Sequence, residues 1–284
     1  MNKLALITGG SRGLGLYLVK KFWTKGYSII VVARNAIDRN DFIKKLPTRK
    51  KQNFISFSCD LSQINQVKSL IDRIKSTTSH IDVLINNAAI QGPIGQIWDN
   101  DMLEWNKTLR VNLIAPVTLC HGLIPLMKKK SGSSIINISG GGATGPRVNF
   151  SAYATAKAGL VRFSETISEE LKLKGIRVNC IAPGAMKTDM LREVLIKRDV
   201  AGVSEIEKAE NILSKDDSTI IRVANLAIFL ASDISKGITG KLISAIWDNW
   251  EQLPNYLDEL SRSDVYTLRR ITSQDRGYQW SDNE

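Results

Sequence analysis

With 284 residues, 43% of them hydrophobic, the chain has enough apolar side chain for one substantial core. Its 39 Lys and Arg outnumber 28 Asp and Glu for a formal net charge of +11, but the basic clusters Lys44-Lys45, Arg49-Lys50-Lys51, Lys128-Lys129-Lys130 and Arg269-Arg270 are scattered, with no aromatic-interleaved basic stripe. This excludes dedicated nucleic-acid binding as the expectation and leaves solvated charge or attraction for anionic small molecules.

No run approaches about 18 consecutive apolar residues, and Met1-Asn2-Lys3 leads straight into a short strand-like run, so a cytoplasmic protein with no membrane partner is expected. Cys59, Cys120 and Cys180 form no CxxC pair and lie in or beside apolar segments, which predicts buried free thiols. His80 and His121 are the only histidines, too few for a zinc site or a histidine-based triad.

In chain order, the apolar run Leu4 to Ile7 predicts a strand, and Leu14, Leu18, Val19 and Phe22 recur at helical spacing behind a glycine turn. Gly26 closes that helix, and Tyr27 to Ala33 supplies a second, β-branched strand. A helix over 41–46 precedes a strand Phe54 to Ser58, and a helix capped by Ser62 and running to about Ser76 precedes a strand Ile81 to Ile85. Residues 101–130 are expected to be largely helical, kinked at Pro116. A strand Ser134 to Ile138 follows, then a long helix Tyr153 to Lys174 closed by Gly175, and a strand Ile176 to Ile181.

After a charged helical excursion over 189–215, a helix Thr219 to Ala231 leads to a last strand Lys241 to Ile246. Continuously apolar strands alternating with helices define the expected fold class: α/β, a single domain with a doubly wound, mostly parallel, seven-stranded Rossmann-like sheet over 1–247. Residues 248–284, with Trp250, Tyr256, Tyr266, Tyr278 and Trp280, form an extension expected to pack on that domain or across an oligomer interface.

The turn Gly9-Gly10-Ser11-Arg12-Gly13-Leu14-Gly15 follows the first strand and opens a helix, where backbone amides and the helix dipole favour a pyrophosphate. After the second strand a carboxylate would bind a ribose 2′-hydroxyl and an arginine a 2′-phosphate. Ala33-Arg34-Asn35 offers the arginine, and Arg12 could reach the same phosphate, so NADP(H) is preferred over NAD(H). Tyr153 and Lys157 are four apart on one helix face, a phenol beside an ammonium. A tyrosine titrating near about 10 is pulled toward its phenolate by a cation within roughly 4–6 Å, which makes it a usable acid/base.

Five motifs in order, Thr8-Gly9-x-x-x-Gly13-x-Gly15, Asn86-Asn87-Ala88-Ala89, Asn112, Tyr153-x-x-x-Lys157 and Pro183-Gly184-x-x-x-Thr188, make residues 3 to about 246 resemble a classical short-chain dehydrogenase/reductase. The resemblance implies that Tyr153 is the acid/base, that Lys157 lowers its pKa and holds the nicotinamide ribose, and that Asn112 anchors a water in a proton relay. It further implies that Asp60 and Leu61 meet the adenine, that Asn87, Ala88 and Ala89 line the cofactor groove, and that Pro183, Gly184 and Thr188 hold the carboxamide. A homodimer or homotetramer is usual in such proteins.

Two departures stand out. The family has a serine thirteen residues before the tyrosine, whereas this chain has Gly140, within Ser139-Gly140-Gly141-Gly142. A bulge could bring Ser139 in, a glycine N–H or a water could donate instead, or catalysis could be weak in a protein that mainly binds cofactor. The family's closing Asp-Gly-Gly is also missing from Ile243-Ser244-Ala245-Ile246-Trp247-Asp248.

The function expected is carbonyl/secondary-alcohol interconversion on a polar small molecule such as a keto sugar or surface-glycan precursor. Arg147, Lys187, Arg192, Lys197 and Arg198 would suit a phosphate or carboxylate on it. The alternatives are a 3-oxoacyl thioester reductase and a cofactor-binding scaffold or redox sensor.

Overall fold

The computed structural model describes residues 2–35, 52–127, 132–214, 218–278 and 280. The helix expected over 41–46 and the basic clusters at 44–45, 49–51 and 128–130 lie outside these residues.

Strands β1 (Leu4–Thr8), β2 (Ser28–Ala33), β3 (Phe54–Ser58), β4 (Val83–Asn86), β5 (Ser134–Ile138), β6 (Arg177–Ala182) and β7 (Leu242–Ser244) form a seven-stranded sheet. Its order is β3-β2-β1-β4-β5-β6-β7 and every pairing is parallel. The register aligns Ile7 with Ile85, Asn86 with Asn137 and Ile138 with Ile181, so all the carboxyl ends share one edge. Strand order reverses between β1 and β4, and a crevice opens at that edge where the connections diverge.

Apolar strands need cover on both faces, and helices supply it. On one face α1 (Gly13–Thr24) and α9 (Ser218–Ala231) bury Leu18, Val19, Phe22, Val223, Ala227 and Leu230 against the sheet. On the other lie α2 (Ile64–Thr77), α4 (Ala115–Met127) and α5 (Ser151–Leu171), with Val67, Leu70, Leu119, Leu123 and Ile167 inward. Between β6 and α9 the chain forms α6 (Asp189–Ile196), α7 (Arg198–Ala201) and α8 (Val203–Ser214).

Several boundaries differ from the sequence reading. Helix α2 starts beyond Ser62: Gln63 is its N-cap, and the Ser62 amide donates instead to Asp60 Oδ1 at 2.9 Å. Helix α3 (Met102–Leu109) and α4 are joined by a π-helical turn at Arg110–Ile114, where the Ala115 amide donates to the Arg110 carbonyl just before Pro116. By length and composition Met102–Met127 is apolar enough to cross a membrane, and half of that apolar window is buried in the fold. Strand β7 is shorter than expected because Ser244 begins a turn: its amide donates to Asp248 Oδ2, and its Oγ accepts from the Ile246 and Trp247 amides.

Beyond β7 the chain folds back on the sheet domain. Trp250 lies 5.3 Å from Phe229, and Leu253 and, from α10 (Leu257–Arg262), Leu260 join the same core. The Leu242 amide donates to the Tyr266 carbonyl, and Lys241 Nζ donates to the carbonyls of Ser263 and Val265. Cys59, Cys120 and Cys180 are buried and free.

Candidate active site

The crevice begins at the glycine turn between β1 and α1. Thr8 Oγ1 accepts from the amides of Asn87 and Ala88, both at 3.0 Å, and Asn87 Nδ2 donates to the Thr8 carbonyl at 2.9 Å. The end of β1 is thereby sewn to the segment after β4. A side chain is impossible at Gly15, where a Cβ would stand 2.0 Å from the Gly9 carbonyl oxygen. The N-cap of α1, Arg12, makes no side-chain capping bond, and among the described residues the amides of Gly13, Leu14 and Gly15 have no hydrogen-bond partner. Ser11, Arg12 and Gly13 are exposed at this helix end. The residues present therefore fit a dinucleotide phosphate: first-turn amides with a positive dipole, in a turn free of side chains.

Two arginines flank this cradle. Arg34 is exposed just past β2, and Ser58 Oγ donates to its carbonyl at 2.6 Å. Burial would push the Asp60 carboxyl up, but hydrogen bonds from Ser62 and the charges of Arg34 and Lys107 outweigh it and hold it below the usual range. Leu61 is buried beside it. Arg12 does not reach toward Arg34: its Nη1 pairs with Asp189 Oδ2 at 2.7 Å, bridging the glycine turn to the start of α6. Thr188, N-cap of α6, approaches the same turn, its methyl carbon 3.8 Å from where a Gly13 Cβ would stand. Of the segment after β6, Thr188 thus reaches the cradle, while a Cβ on Gly184 would stand 3.0 Å from Ile246 Cγ1.

Helix α5 carries Tyr153 and Lys157. Tyr153 is 7% exposed and Lys157 is 2% exposed, with Nζ 5.6 Å from the phenol ring centre. Lys157 Nζ donates to the Ile138 carbonyl at the end of β5, at 2.7 Å. Burial drops the Lys157 ammonium to about 8 and pushes the Tyr153 phenol up to about 12, the latter opposed by Arg147. The expected lowering of the phenol by Lys157 is not seen: burial sets the direction, and the charge opposing it is that of Arg147.

Asn112, in the π-helical turn, spends its amide on Ile90: Oδ1 accepts from that residue's N–H and Nδ2 donates to its carbonyl, both at 2.9 Å. It clamps the segment following Ala89.

Gly140, and not Ser139, faces the phenol. A Cβ on Gly140 would stand 2.4 Å from the Tyr153 hydroxyl, so Tyr153 occupies the space of a side chain there. Ser139 is 1% exposed and its Oγ has no hydrogen-bond partner among the described residues. Strand alternation turns it away from the side on which Gly140 meets the phenol.

The substrate side is walled by the glycine loop and by α6–α8. Phe150, Val194, Ala201 and Ala209 bury with Tyr153, and Ile94, Met190 and Leu195 pack around them. Three of the five cations expected here, Arg147, Arg192 and Arg198, are matched by carboxylates. Arg147 donates from Nε and Nη2 to Glu205 Oε2 at 3.0 and 2.6 Å, Arg198 pairs with Glu210 at 2.8 Å, and Arg192 approaches Asp189 at 3.4 Å. Sequence reasoning missed Asp189 and Glu205, whose partners are 177 and 58 residues away. It also missed the chain from Asn86 through Asn137 to Ser164 behind the site, signalled only by asparagines within apolar strands.

A phosphate cradle at a topological switch point, with a buried Tyr-Lys helix across it, defines a dinucleotide-dependent oxidoreductase fold. The family model described as short chain dehydrogenase matches residues 3–199, and the chain belongs to that family. It is 33% identical over 251 residues to the 3-oxoacyl-[acyl-carrier-protein] reductase FabG of Chlamydia trachomatis serovar D, covering 86% of this chain and 96% of that one. Among solved structures it resembles YwfH, an NADPH dependent reductase involved in bacilysin biosynthesis (TM-score 0.73, 28% identity, 86% and 97% covered). It also resembles the aldohexose dehydrogenase of Thermoplasma acidophilum (TM-score 0.70, 27% identity, 86% and 92% covered).

Proposed function

We propose that the protein is an NADP(H)-dependent reductase of a carbonyl compound, with Tyr153 as the proton donor. The observation that carries this reading is the buried phenol of Tyr153, backed by Lys157 and opening onto the side-chain-free Gly140. The first-turn amides of α1 would hold the phosphates of a bound dinucleotide, Arg34 would meet its 2′-phosphate and Thr188 would cover the turn from the other side, and the reduced cofactor would supply the hydride. Tyr153, kept protonated by burial, gives its proton to the oxygen as the carbon accepts hydride, and Lys157 stands behind it at the Ile138 carbonyl. Asn87 and Asn112 fix the groove floor through backbone bonds. The NADPH dependence of the similar YwfH supports the cofactor choice, and that choice supports the reducing direction.

Two substrate classes are supported by different observations. The apolar wall around Tyr153 and the likeness to FabG support a β-keto thioester. The likeness to the aldohexose dehydrogenase supports the polar keto sugar of the sequence reading. An NADPH-oxidation panel of keto thioesters, keto sugars, aldehydes and ketones decides between them. Tyr153→Phe is expected to bind NADPH as the wild type does and to lose about 10²–10⁴ in kcat. Retained turnover in that variant, or NADPH bound with no carbonyl reduced, would sink the reading, the latter in favour of a cofactor-binding scaffold.

A further inference from the structure

An oxygen accepting negative charge during hydride addition is stabilised by donors aimed at it, and Tyr153 alone is one donor. Position 140 cannot add a second, since a Cβ there would meet the Tyr153 hydroxyl at 2.4 Å. The adjoining cation is Arg147. Its Cδ, Nε and Nη1 lie 3.6, 3.8 and 4.0 Å from where a Gly141 Cβ would stand, so the guanidinium lies along the glycine run that reaches Tyr153. The Phe150 ring supports it at 3.8 Å, and its central carbon is 5.7 Å from the Tyr153 ring centre. Glu205 takes Nε and Nη2, and among the described residues Nη1 has no hydrogen-bond partner.

We propose that Arg147 is a catalytic residue: its Nη1 donates to the reacting carbonyl oxygen beside the Tyr153 phenol, the task a side chain at 140 would otherwise perform. This rests on the reductase reading above. Hydride and its electron pair add to the carbonyl carbon, the π pair moves to oxygen, and oxygen takes the phenol proton. Arg147 keeps its protons throughout, and the phenolate regains one from water. The same guanidinium opposes the upward push of burial on Tyr153, which eases that proton's departure. Glu205 accepts only from Nε and Nη2, the other edge of the fork, so its bonds do not compete with donation from Nη1.

The competing role is a staple between the glycine loop and α8, and it predicts equal damage from either end of the pair. The test compares full-length wild type, Arg147→Gln, Arg147→Lys and Glu205→Gln in NADPH binding and in reduction of two probes, acetoacetyl-N-acetylcysteamine and 2,3-butanedione. Arg147→Gln should lose about 10²-fold in kcat with KM and NADPH affinity within about threefold, and Arg147→Lys should recover about tenfold of that loss. Glu205→Gln should stay within about fivefold of wild type in kcat. Equal losses in Arg147→Gln and Glu205→Gln, or wild-type kcat in Arg147→Gln, overturn the inference and leave the reductase reading standing. Absence of NADPH binding by the wild type defeats the reductase reading itself. NADPH bound with neither probe reduced overturns this inference too, since the oxygen donor would then be idle.

Discussion

On the dinucleotide side of the crevice, Arg12 apart, polar side chains are held by backbone: Thr8 and Asn87 join β1 to the segment after β4, and Asn112 holds both polar atoms of Ile90. On the substrate side they are held by one another across the chain, as Arg147 by Glu205 and Arg198 by Glu210. A backbone partner is present whatever the neighbouring residue types, so the first arrangement is fixed by topology. A side-chain partner can change with one substitution, so the second can be rewritten while the sheet stays as it is.

The firmest test of the topological side is Gly15→Ala. Its methyl would fall 2.0 Å from the Gly9 carbonyl, and overpacking of this kind costs about 1–3 kcal/mol. A lower urea midpoint together with loss of NADPH binding is expected; unchanged values would show that the turn yields and that the two sides are equally plastic.

Next in size is the pH dependence set by Lys157, where the two sides meet. Burial drops this ammonium from 10.5 to about 8, so between those values the unfolded chain binds more protons and stability rises with pH. Tyr153, pushed from 10.0 to about 12, acts oppositely above 10, and so do the buried thiols above 9, Cys120 and Cys180 being pushed to about 12. Urea midpoints of wild type and Lys157→Met isolate the lysine. From pH 8 to 10.5 the wild type should gain up to about 3 kcal/mol relative to the variant, and parallel pH profiles would refute a buried, weakened ammonium.

The smallest effect is expected at Arg34, exposed at the rim. Arg34→Leu should lower the preference for NADPH over NADH about tenfold, the scale of one phosphate contact, with NADH affinity unchanged. An unaltered preference would place cofactor choice elsewhere on the rim.

What the sequence made legible follows the same division. Apolar runs marked the strands, and the Tyr153 and Lys157 spacing marked one face of helix α5, because these depend on local periodicity. The early end of β7 depended on Asp248 and Ser244 bonding across a turn, which no periodicity reports. The direction of the Tyr153 shift was missed because spacing shows a neighbouring cation and not the depth of burial. Arg147 looked like an available cation because Glu205 lies 58 residues further on.

The contact between Gly140 and Tyr153 also bears on how such a site changes over generations. A codon change that puts serine at 140 places its Cβ where the phenol hydroxyl already stands, and the ring is wedged among Phe150, Val194 and Ala201. Serine becomes acceptable only after the ring has moved, and the ring moves only after its neighbours have been substituted. The glycine is thus held in place by the packing around the phenol, and a serine there needs at least one further substitution to be accommodated.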